Sequence, residues 1–263
     1  MKVKYYQKER RQFLVRFSYR GDAFFGVQKQ PGLKTVLNAL AWRIEFISGQ
    51  YPRALCIASR TDRGVHALEN YATFWLKFDN LLNEKHFKDE LSGVFEDDLL
   101  DLHVWSVHPS VHARGSKYGK RYCYSIIDGC GDDLIDEFSW KVTPHLDVEK
   151  MREAAEFFLG IHDFSSFKGQ GCQAGSAIKQ IYEISCHRKG RKIYIEISGN
   201  SFLRKMIRNM VGILIEIGAG LRSSNSIAQI LLEKNRKAAG IMAPACGLTL
   251  IRIDFDHSTN PIS

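Results

Sequence analysis

The chain has 263 residues, 44% of them hydrophobic and 25% charged, and its six prolines are scattered. This composition is that of a folded protein with a substantial core, and it excludes the disordered and fibrous classes. The formal net charge of +8 favours an anionic partner such as a nucleic acid, but charge by itself leaves the partner open. The basic N-terminus has no apolar signal region and no segment approaches the ~18 apolar residues of a membrane span, so we expect a cytoplasmic protein.

The first half of the chain alternates strands and helices. Residues 13–18 alternate in side-chain character and predict a strand, and Thr35 and Gly49 are the expected cap and stop of a helix. Residues 55–58 and 71–78 predict two buried strands, which residues 59–64 connect. A further strand is predicted at 103–107.

The second half repeats this style. The predicted elements are a strand at 121–127, a helix at 147–159 capped by Asp147, a hairpin of strands 181–186 and 193–198 with a cationic tip at 187–192, and a helix at 201–217. We place the seam between the halves near residue 110, which divides the chain into domains 1–110 and 111–263. The pattern predicts an α+β fold in which helices cover one face of a sheet.

The connector at 59–64 holds the most chemically suggestive residues. Asp62 lies between Arg60 and Arg63, and His66 follows closely. One interpretation is a structural turn in which Thr61 and Asp62 bond to the backbone and the arginines are solvated. The other is a carboxylate kept ionised by its cationic neighbours, which suits a nucleophile or base.

Two further segments each have two interpretations. Arg208 lies on the predicted 201–217 helix, on a face that Val211 and Ile215 make apolar, so it is either a buried arginine with a carboxylate partner or a surface arginine. Tyr122 and Tyr124 share a strand face beside basic residues, which fits both base stacking and plain core packing.

No metal or nucleotide cofactor is predicted. The sequence has no Cys/His cluster at metal-ligand spacing, no phosphate-binding glycine loop and no G-x-S-x-G elbow. The six cysteines form no C-x-x-C pair and are expected to be buried thiols. A carboxylate is therefore the best nucleophile candidate.

The chain resembles the tRNA pseudouridine synthase A family over nearly its whole length. The active-site loop of that family reads G-R-T-D-A-G-V-H-A, which residues 59–67 closely match. The matching segments are, in chain order, Tyr19-Arg20-Gly21, Phe25-Gly26-Val27-Gln28-Lys29-Gln30, Arg60-Thr61-Asp62 with Gly64-Val65-His66-Ala67, His112-Ala113-Arg114, Lys120-Arg121-Tyr122-Cys123-Tyr124, His162-Asp163-Phe164-Ser165-Ser166-Phe167, Phe202-Leu203 with Met206-Ile207-Arg208-Asn209-Met210-Val211-Gly212, and Ala243-Pro244-Ala245 with Gly247-Leu248.

The resemblance implies a role for each matching polar residue. Asp62 is the catalytic aspartate, Tyr122 lies under the target base, Arg208 pairs with the aspartate, and Arg60 helps to displace the base. The residues expected to contact substrate are Tyr122, Arg60, His66, Arg114 and Leu248.

The resemblance also implies an architecture and a substrate. The fold is two related α+β halves of ferredoxin-like (RRM-like) type that form a mixed, mainly antiparallel sheet flanked by helices, with the active cleft between the halves. The protein is a homodimer without cofactor that isomerises uridines at positions 38–40 of the anticodon stem-loop of tRNA.

The sequence departs from the family pattern at four places. Ser59 replaces the usual Gly, Arg63 the usual Ala, Val27 the usual Trp, and residues 91–95 the usual L-N-x-x-L-P run. Two other functions stay open at this point: an RNA-binding protein that has lost its chemistry, and a hydrolase or phosphotransferase with an aspartate nucleophile. The intact Asp62, Tyr122 and Arg208 weigh against the first, and the cations around Asp62, where metal-binding carboxylates are needed, weigh against the second.

Overall fold

A computed structural model describes residues 9–78, 83–93, 98–115, 117–129 and 136–255. The chain divides into two compact units, residues 1–118 with 253–263, and residues 119–252. The division falls later than residue 110 because the segment after that residue is bonded to the first unit. Gln12 donates to the carbonyl of Val111 over 2.6 Å, and the amide of Ala113 donates to Thr73 Oγ1 over 3.4 Å.

The first unit is built around an antiparallel sheet. Strand β1 pairs with β3 on one side and with β4 on the other, and β2 pairs with β3. The elements are β1 (Glu9–Tyr19), α1 (Val36–Ser48), β2 (Arg53–Ile57), β3 (His66–Phe78), α2 (Glu84–Ser92) and β4 (Leu99–Val107).

Strand β1 is buried on both faces over most of its length. The side chains of Phe13, Leu14, Val15 and Phe17 have no solvent exposure, although they point alternately to opposite faces. The predicted alternation therefore located the strand, and the burial of both faces means that other parts of the chain pack on each side of it.

Helix α1 begins and ends where the sequence predicts. Thr35 Oγ1 accepts the amide of Asn38, and Gly49 ends the helix in the left-handed conformation at φ 66°. The amides of Val36 and Leu37, which have no partner within the helix, donate to the carbonyls of Gly26 and Val27 over 3.2 and 3.1 Å. The start of α1 is thus bonded to the loop that follows β1.

The second unit also has a sheet flanked by helices. Antiparallel pairing joins β5 to β9, β9 to β8 and β8 to β7, whereas β6 runs parallel to β5. The elements are β5 (Lys117–Asp128), β6 (Trp140–Val142), α3 (Val148–Ala155), β7 (Gly160–Asp163), β8 (Ile178–Lys189), β9 (Lys192–Gly199), α4 (Met206–Gly218), α5 (Ser226–Glu233) and β10 (Leu248–Phe255). Strand β10 neighbours β5, and its last residues, from Ile253 on, belong to the first unit.

Two predicted helices are shorter than expected. Asp147 caps α3 by accepting the amide of Lys150, but the α-helix ends at Ala155 and continues as one 3-10 turn. The helix predicted at 201–217 begins only at Met206, because Lys205 adopts the left-handed conformation at φ 63°. The helical spacing of apolar residues continues through residues 201–205, although their backbone is not helical.

The α+β class and the mixed, mainly antiparallel pairing flanked by helices are confirmed. The β8–β9 hairpin is confirmed as well, but its strands are longer than predicted, and only Gly190 and Arg191 separate them. In the ranges that the structure describes, no helix has the length and apolar character needed to cross a membrane.

Candidate active site

The loop at 59–64 joins β2 to β3 and carries Asp62 and its flanking arginines. The amide of Val65 donates to the carbonyl of Asp62 over 3.2 Å, which closes a turn. Gly64 takes the third position of this turn at φ 81°, a conformation that favours glycine. The main chain therefore has a defined bend at Asp62.

Two buried side chains, Tyr19 of β1 and Asn70 of β3, form hydrogen bonds with the loop. Asn70 accepts the amide of Ser59 over 3.2 Å and donates to the carbonyl of the same residue over 2.9 Å. Tyr19 Oη lies 3.2 Å from Asn70 Nδ2 and 2.8 Å from Thr61 Oγ1. Burial raises the pKa of Tyr19 to about 12, so this hydroxyl stays protonated at neutral pH.

The segment after β1 holds the loop from the other side. The amide of Gly64 donates to the carbonyl of Gly21 over 3.1 Å, and the amide of Val27 donates to the carbonyl of Thr61 over 3.3 Å. A Cβ atom on Gly21 would lie 2.3 Å from the carbonyl oxygen of Val65, so only glycine fits there. Thr61 before Asp62 and Gly64 after it are therefore held by hydrogen bonds of their main chain.

The charged side chains of the loop differ in exposure. Asp62 is half-buried, whereas Arg60 and Arg63 are exposed. The guanidinium carbon of Arg63 lies 4.2 Å from the ring centroid of Phe25, a distance typical of cation–π contacts. Arg63, which stands where the family has Ala, therefore rests on an exposed aromatic ring.

His66 is buried at the start of β3, with 5% of its surface exposed. Its Nδ1 accepts the amide of Gly21 over 3.1 Å, which assigns this nitrogen as unprotonated. The contact helps to keep the Gly21 turn against the loop. Its expected role in binding substrate stays a prediction.

Tyr122 lies on β5 in the second unit, opposite Ile197 of β9. It is 6% exposed, and its ring meets that of Phe202 edge to face with centroids 5.3 Å apart. Phe202 precedes α4 and is not part of it, so it can approach the strand. The segment at 201–205, which the sequence predicted to be helical, therefore packs against the ring of Tyr122 through Phe202.

Arg208 lies in the first turns of α4 and is half-buried, which is intermediate between its two interpretations. Its Nε donates to the carbonyl of Ala243 over 2.7 Å, and the amide of Ala243 donates back to the carbonyl of Arg208 over 3.0 Å. The Nε bond restricts the orientation of the guanidinium group, and the main-chain bond joins the start of α4 to Ala243. It also gives the Ala243-Pro244-Ala245 segment a structural role.

The remaining predicted residues have different settings. Tyr124 is fully buried, and its hydroxyl donates to the carbonyl of Pro244 over 2.8 Å, so this ring is core, as one of its two interpretations held. Leu248 is 6% exposed at the start of β10, and Arg114 is exposed in the first unit. Asp62, Arg60, His66 and Arg114 belong to the first unit, and Tyr122, Arg208 and Leu248 belong to the second.

Three of the departures from the family pattern have a visible setting. Ser59 and Val27 are each 1% exposed and lie in the main-chain contacts described above, and Arg63 packs on Phe25. Of residues 91–95, Val94 and Phe95 lie outside the described residues.

The cysteines are less buried than expected. Cys186 is buried, and Cys56, Cys123, Cys172 and Cys246 are half-buried, while Cys130 lies outside the described residues. Burial raises the pKa of Cys123 to about 11 and that of Cys186 to about 12, so neither thiol is activated. Within the described ranges, no group of three or more His, Cys, Asp or Glu side chains could hold a metal ion.

The chain is similar to known enzymes of one family. Residues 154–256 match the family model described as tRNA pseudouridine synthase. The chain is 34% identical over 238 residues to tRNA pseudouridine synthase A of Blochmanniella pennsylvanica (strain BPEN), which covers 90% of each protein. It is 36% identical over 238 residues to the protein of the same name from Acetivibrio thermocellus, covering 90% of this chain and 96% of the relative.

A third relative, tRNA pseudouridine synthase A of Thermoanaerobacter sp. (strain X514), is 35% identical over 246 residues, which are 93% of this chain and 100% of the relative. Similarity of this extent covers both units. The chain belongs to the tRNA pseudouridine synthase A family.

The loop residues that support Asp62 were not predicted as a group. Tyr19 stood in a matching motif, and Asn70 stood next to the strand predicted at 71–78 without being singled out. A polar residue in a buried strand is a usable signal, because such a residue needs hydrogen-bond partners nearby. Which partners it finds depends on the fold.

Proposed function

We propose that this protein is a tRNA pseudouridine synthase that isomerises uridine to pseudouridine, with Asp62 as its catalytic carboxylate. The observation that carries the proposal is the family membership over 90% of the chain or more, combined with an aspartate on a loop that buried side chains hold in place. We further propose that the target uridines are those of the anticodon arm, at positions 38–40, as the family resemblance implies.

The reaction breaks the bond from the ribose carbon to N1 of uracil, turns the base, and forms a bond from the same carbon to C5. The proton on C5 is then lost, and N1, which no longer bonds to the sugar, takes up a proton. No atom is added or removed and no electron is transferred, so the reaction is an isomerisation. The base must first leave its stack, which costs a few kcal/mol.

The proposed roles follow from the chemistry of each side chain. Arg60 is exposed and long enough to fill the space that the extruded base leaves. Tyr122 stacks on the uracil ring and is a candidate for removing the C5 proton. Asp62 attacks the base or the sugar, or abstracts a sugar proton, and Arg208 keeps the catalytic aspartate ionised. His66, Arg114 and Leu248 contribute to substrate binding.

The setting of the activity is proposed on the same basis. The family resemblance implies a homodimer whose basic surface takes the tRNA, and the net charge of +8 suits a polyanionic substrate. We place the activity in the cytoplasm, where unmodified tRNA substrates are found.

The test compares the wild-type protein with Asp62→Ala and Asp62→Asn on an unmodified tRNA transcript. Pseudouridine is mapped by carbodiimide adducts that stop reverse transcription. We expect stops in the anticodon arm with wild type and at least about a 10⁴-fold loss in rate with either variant, because no other group replaces the carboxylate. Binding of the tRNA, measured by filter retention, should stay within about threefold of wild type.

Three results would contradict the proposal. Binding of the tRNA by wild type without any product indicates an RNA-binding protein without chemistry. Metal-dependent phosphate release from a model ester indicates a hydrolase. Modification of uridines outside the anticodon arm overturns the proposed target and leaves the reaction in place.

A further inference from the structure

The side-chain amide of Asn70 lies beside the loop that carries Asp62, and all its hydrogen-bonding groups have partners. Asn70 has no solvent exposure and uses all four of its hydrogen-bonding positions: Oδ1 accepts the amides of Ser59 and Tyr71 over 3.2 and 2.9 Å, and Nδ2 donates to the carbonyl of Ser59 and to Tyr19 Oη over 2.9 and 3.2 Å. Because the partners include both main-chain donors and an acceptor, only one orientation of the amide group satisfies them.

The hydroxyl of Tyr19 continues this chain of bonds to the residue before Asp62. Since Oη accepts from Asn70, its own proton is available for Thr61 Oγ1 at 2.8 Å. Tyr19 is 3% exposed, and its pKa of about 12 keeps the proton on the oxygen across the pH range of an activity assay. The hydroxyl therefore carries its proton throughout that range.

The backbone of β1 is irregular at this place. The pairing with β3 shifts register between Phe17 and Tyr19, and the pairing with β4 shifts between Arg16 and Ser18. Bulges of this kind re-aim a side chain and are frequent beside active sites. The irregularity lies directly before Tyr19, whose side chain reaches the loop.

We propose that Tyr19 and Asn70 are positioning residues that set the placement of Asp62 through Thr61 and Ser59. This inference rests on the proposed function of Asp62. The two side chains touch neither the substrate nor the reacting atoms. They act by restricting the chain at Ser59 and Thr61, directly before Asp62, and a displacement of about 1 Å in a reacting group costs up to ~100-fold in rate.

The first test removes single atoms from this network. Tyr19→Phe deletes only the hydroxyl, and Thr61→Val replaces the partner hydroxyl with a methyl group of similar size. For both we expect the single-turnover rate of pseudouridine formation to fall about tenfold, while the dissociation constant for tRNA stays within about twofold. Thr61→Ser keeps the hydroxyl and should retain the wild-type rate within about twofold.

The double variant distinguishes a shared bond from two separate effects. If Tyr19 and Thr61 act through one hydrogen bond, Tyr19→Phe combined with Thr61→Val is no slower than either single variant. A matched control is Tyr71→Phe. This tyrosine is 4% exposed, and its hydroxyl interacts with Glu69 and not with the loop, so we expect an unchanged rate.

The outcomes separate this inference from the proposed function. If wild type forms no pseudouridine, the proposed function fails. If wild type is active and Tyr19→Phe is as fast as Tyr71→Phe, or if the losses of the two single variants multiply, the positioning role is overturned. Circular dichroism melting shows whether each variant is folded, and if Tyr19→Phe is not, the Thr61→Val and Thr61→Ser pair gives the answer.

Discussion

In the second unit, the carboxylate of Asp128 is buried and paired with the guanidinium of Arg188. The Asp128 side chain is 1% exposed and forms two hydrogen bonds with the guanidinium of Arg188, Oδ1 to Nη1 at 2.6 Å and Oδ2 to Nη2 at 2.7 Å. Oδ2 also accepts the amide of Leu146 over 2.8 Å. The hydrogen bonds to Arg188 hold the pKa of this carboxyl below its usual range despite the opposing effect of burial.

This pair predicts a pH dependence of stability. Because the pKa of Asp128 is lower in the folded state than in the unfolded state, its contribution is complete above the unfolded pKa of about 4 and disappears as the pH falls through the folded value. We expect Asp128→Asn to lower the free energy of unfolding by about 2–3 kcal/mol at neutral pH. The difference from wild type should shrink below about pH 4.

Urea denaturation at a series of pH values measures this difference. Glu153→Gln is the control, because it removes an exposed carboxylate of α3 and should change stability by less than about 0.5 kcal/mol. A destabilisation by Asp128→Asn that does not vary with pH would show that charge pairing is not its cause.

At the scale of elements, the contact of α4 with the segment before β10 places Arg208. A Cβ atom on Gly212 would lie 2.0 Å from the carbonyl oxygen of Ile241, so the helix approaches the segment at 240–243 as closely as a glycine allows. The reciprocal hydrogen bonds between Arg208 and Ala243 lie in the same contact. Helix position and arginine orientation therefore depend on one interface.

Gly212→Ala should separate these two elements. We expect the overpacked methyl group to lower the free energy of unfolding by about 1–3 kcal/mol and to reduce turnover, because the partner of Arg208 Nε moves with the segment. Denaturant unfolding and the single-turnover assay measure the two effects. Gly175→Ala is the matched control, since a Cβ there meets nothing within 4 Å. Equal behaviour of the two variants would show that the contact is loose.

Elements with local end signals were predicted well. Thr35 and Gly49 bound α1, and Asp147 caps α3, because the cap side chains bond to amides three residues away. The predicted start of α4 was wrong. The left-handed conformation of Lys205 and the packing of Phe202 on Tyr122 do not change the spacing of apolar residues in the sequence. Similarity of hydrophobic spacing on both sides of Lys205 concealed the break.

At the scale of the whole molecule, the net charge of +8 predicts strongly salt-dependent binding of tRNA. Each phosphate that is neutralised contributes about 0.7–0.9 to the slope of log affinity against log salt. We expect the affinity to fall at least tenfold between about 0.05 M and ~0.2 M salt, which corresponds to about two or more phosphate contacts.

Filter binding over a salt series measures this slope. The Asp62→Ala variant is the control, because a single substitution in the loop at 59–64 should leave the slope close to that of wild type. Affinity that does not change with salt would mean that the positive charge of the chain does not contact the tRNA backbone.

The sequence by itself determined the fold class, the limits of α1, the hairpin, and the loop that carries Asp62. Each depends on residues close together in the chain, through alternation, caps or turn glycines. Only the tertiary structure decided how that loop is held, because Tyr19 is 42 residues from Thr61 and 51 residues from Asn70 and meets them through the pairing of β1 with β3. Hydrogen bonds between distant residues leave no local pattern, since each partner satisfies its bonding capacity only after the strands have paired.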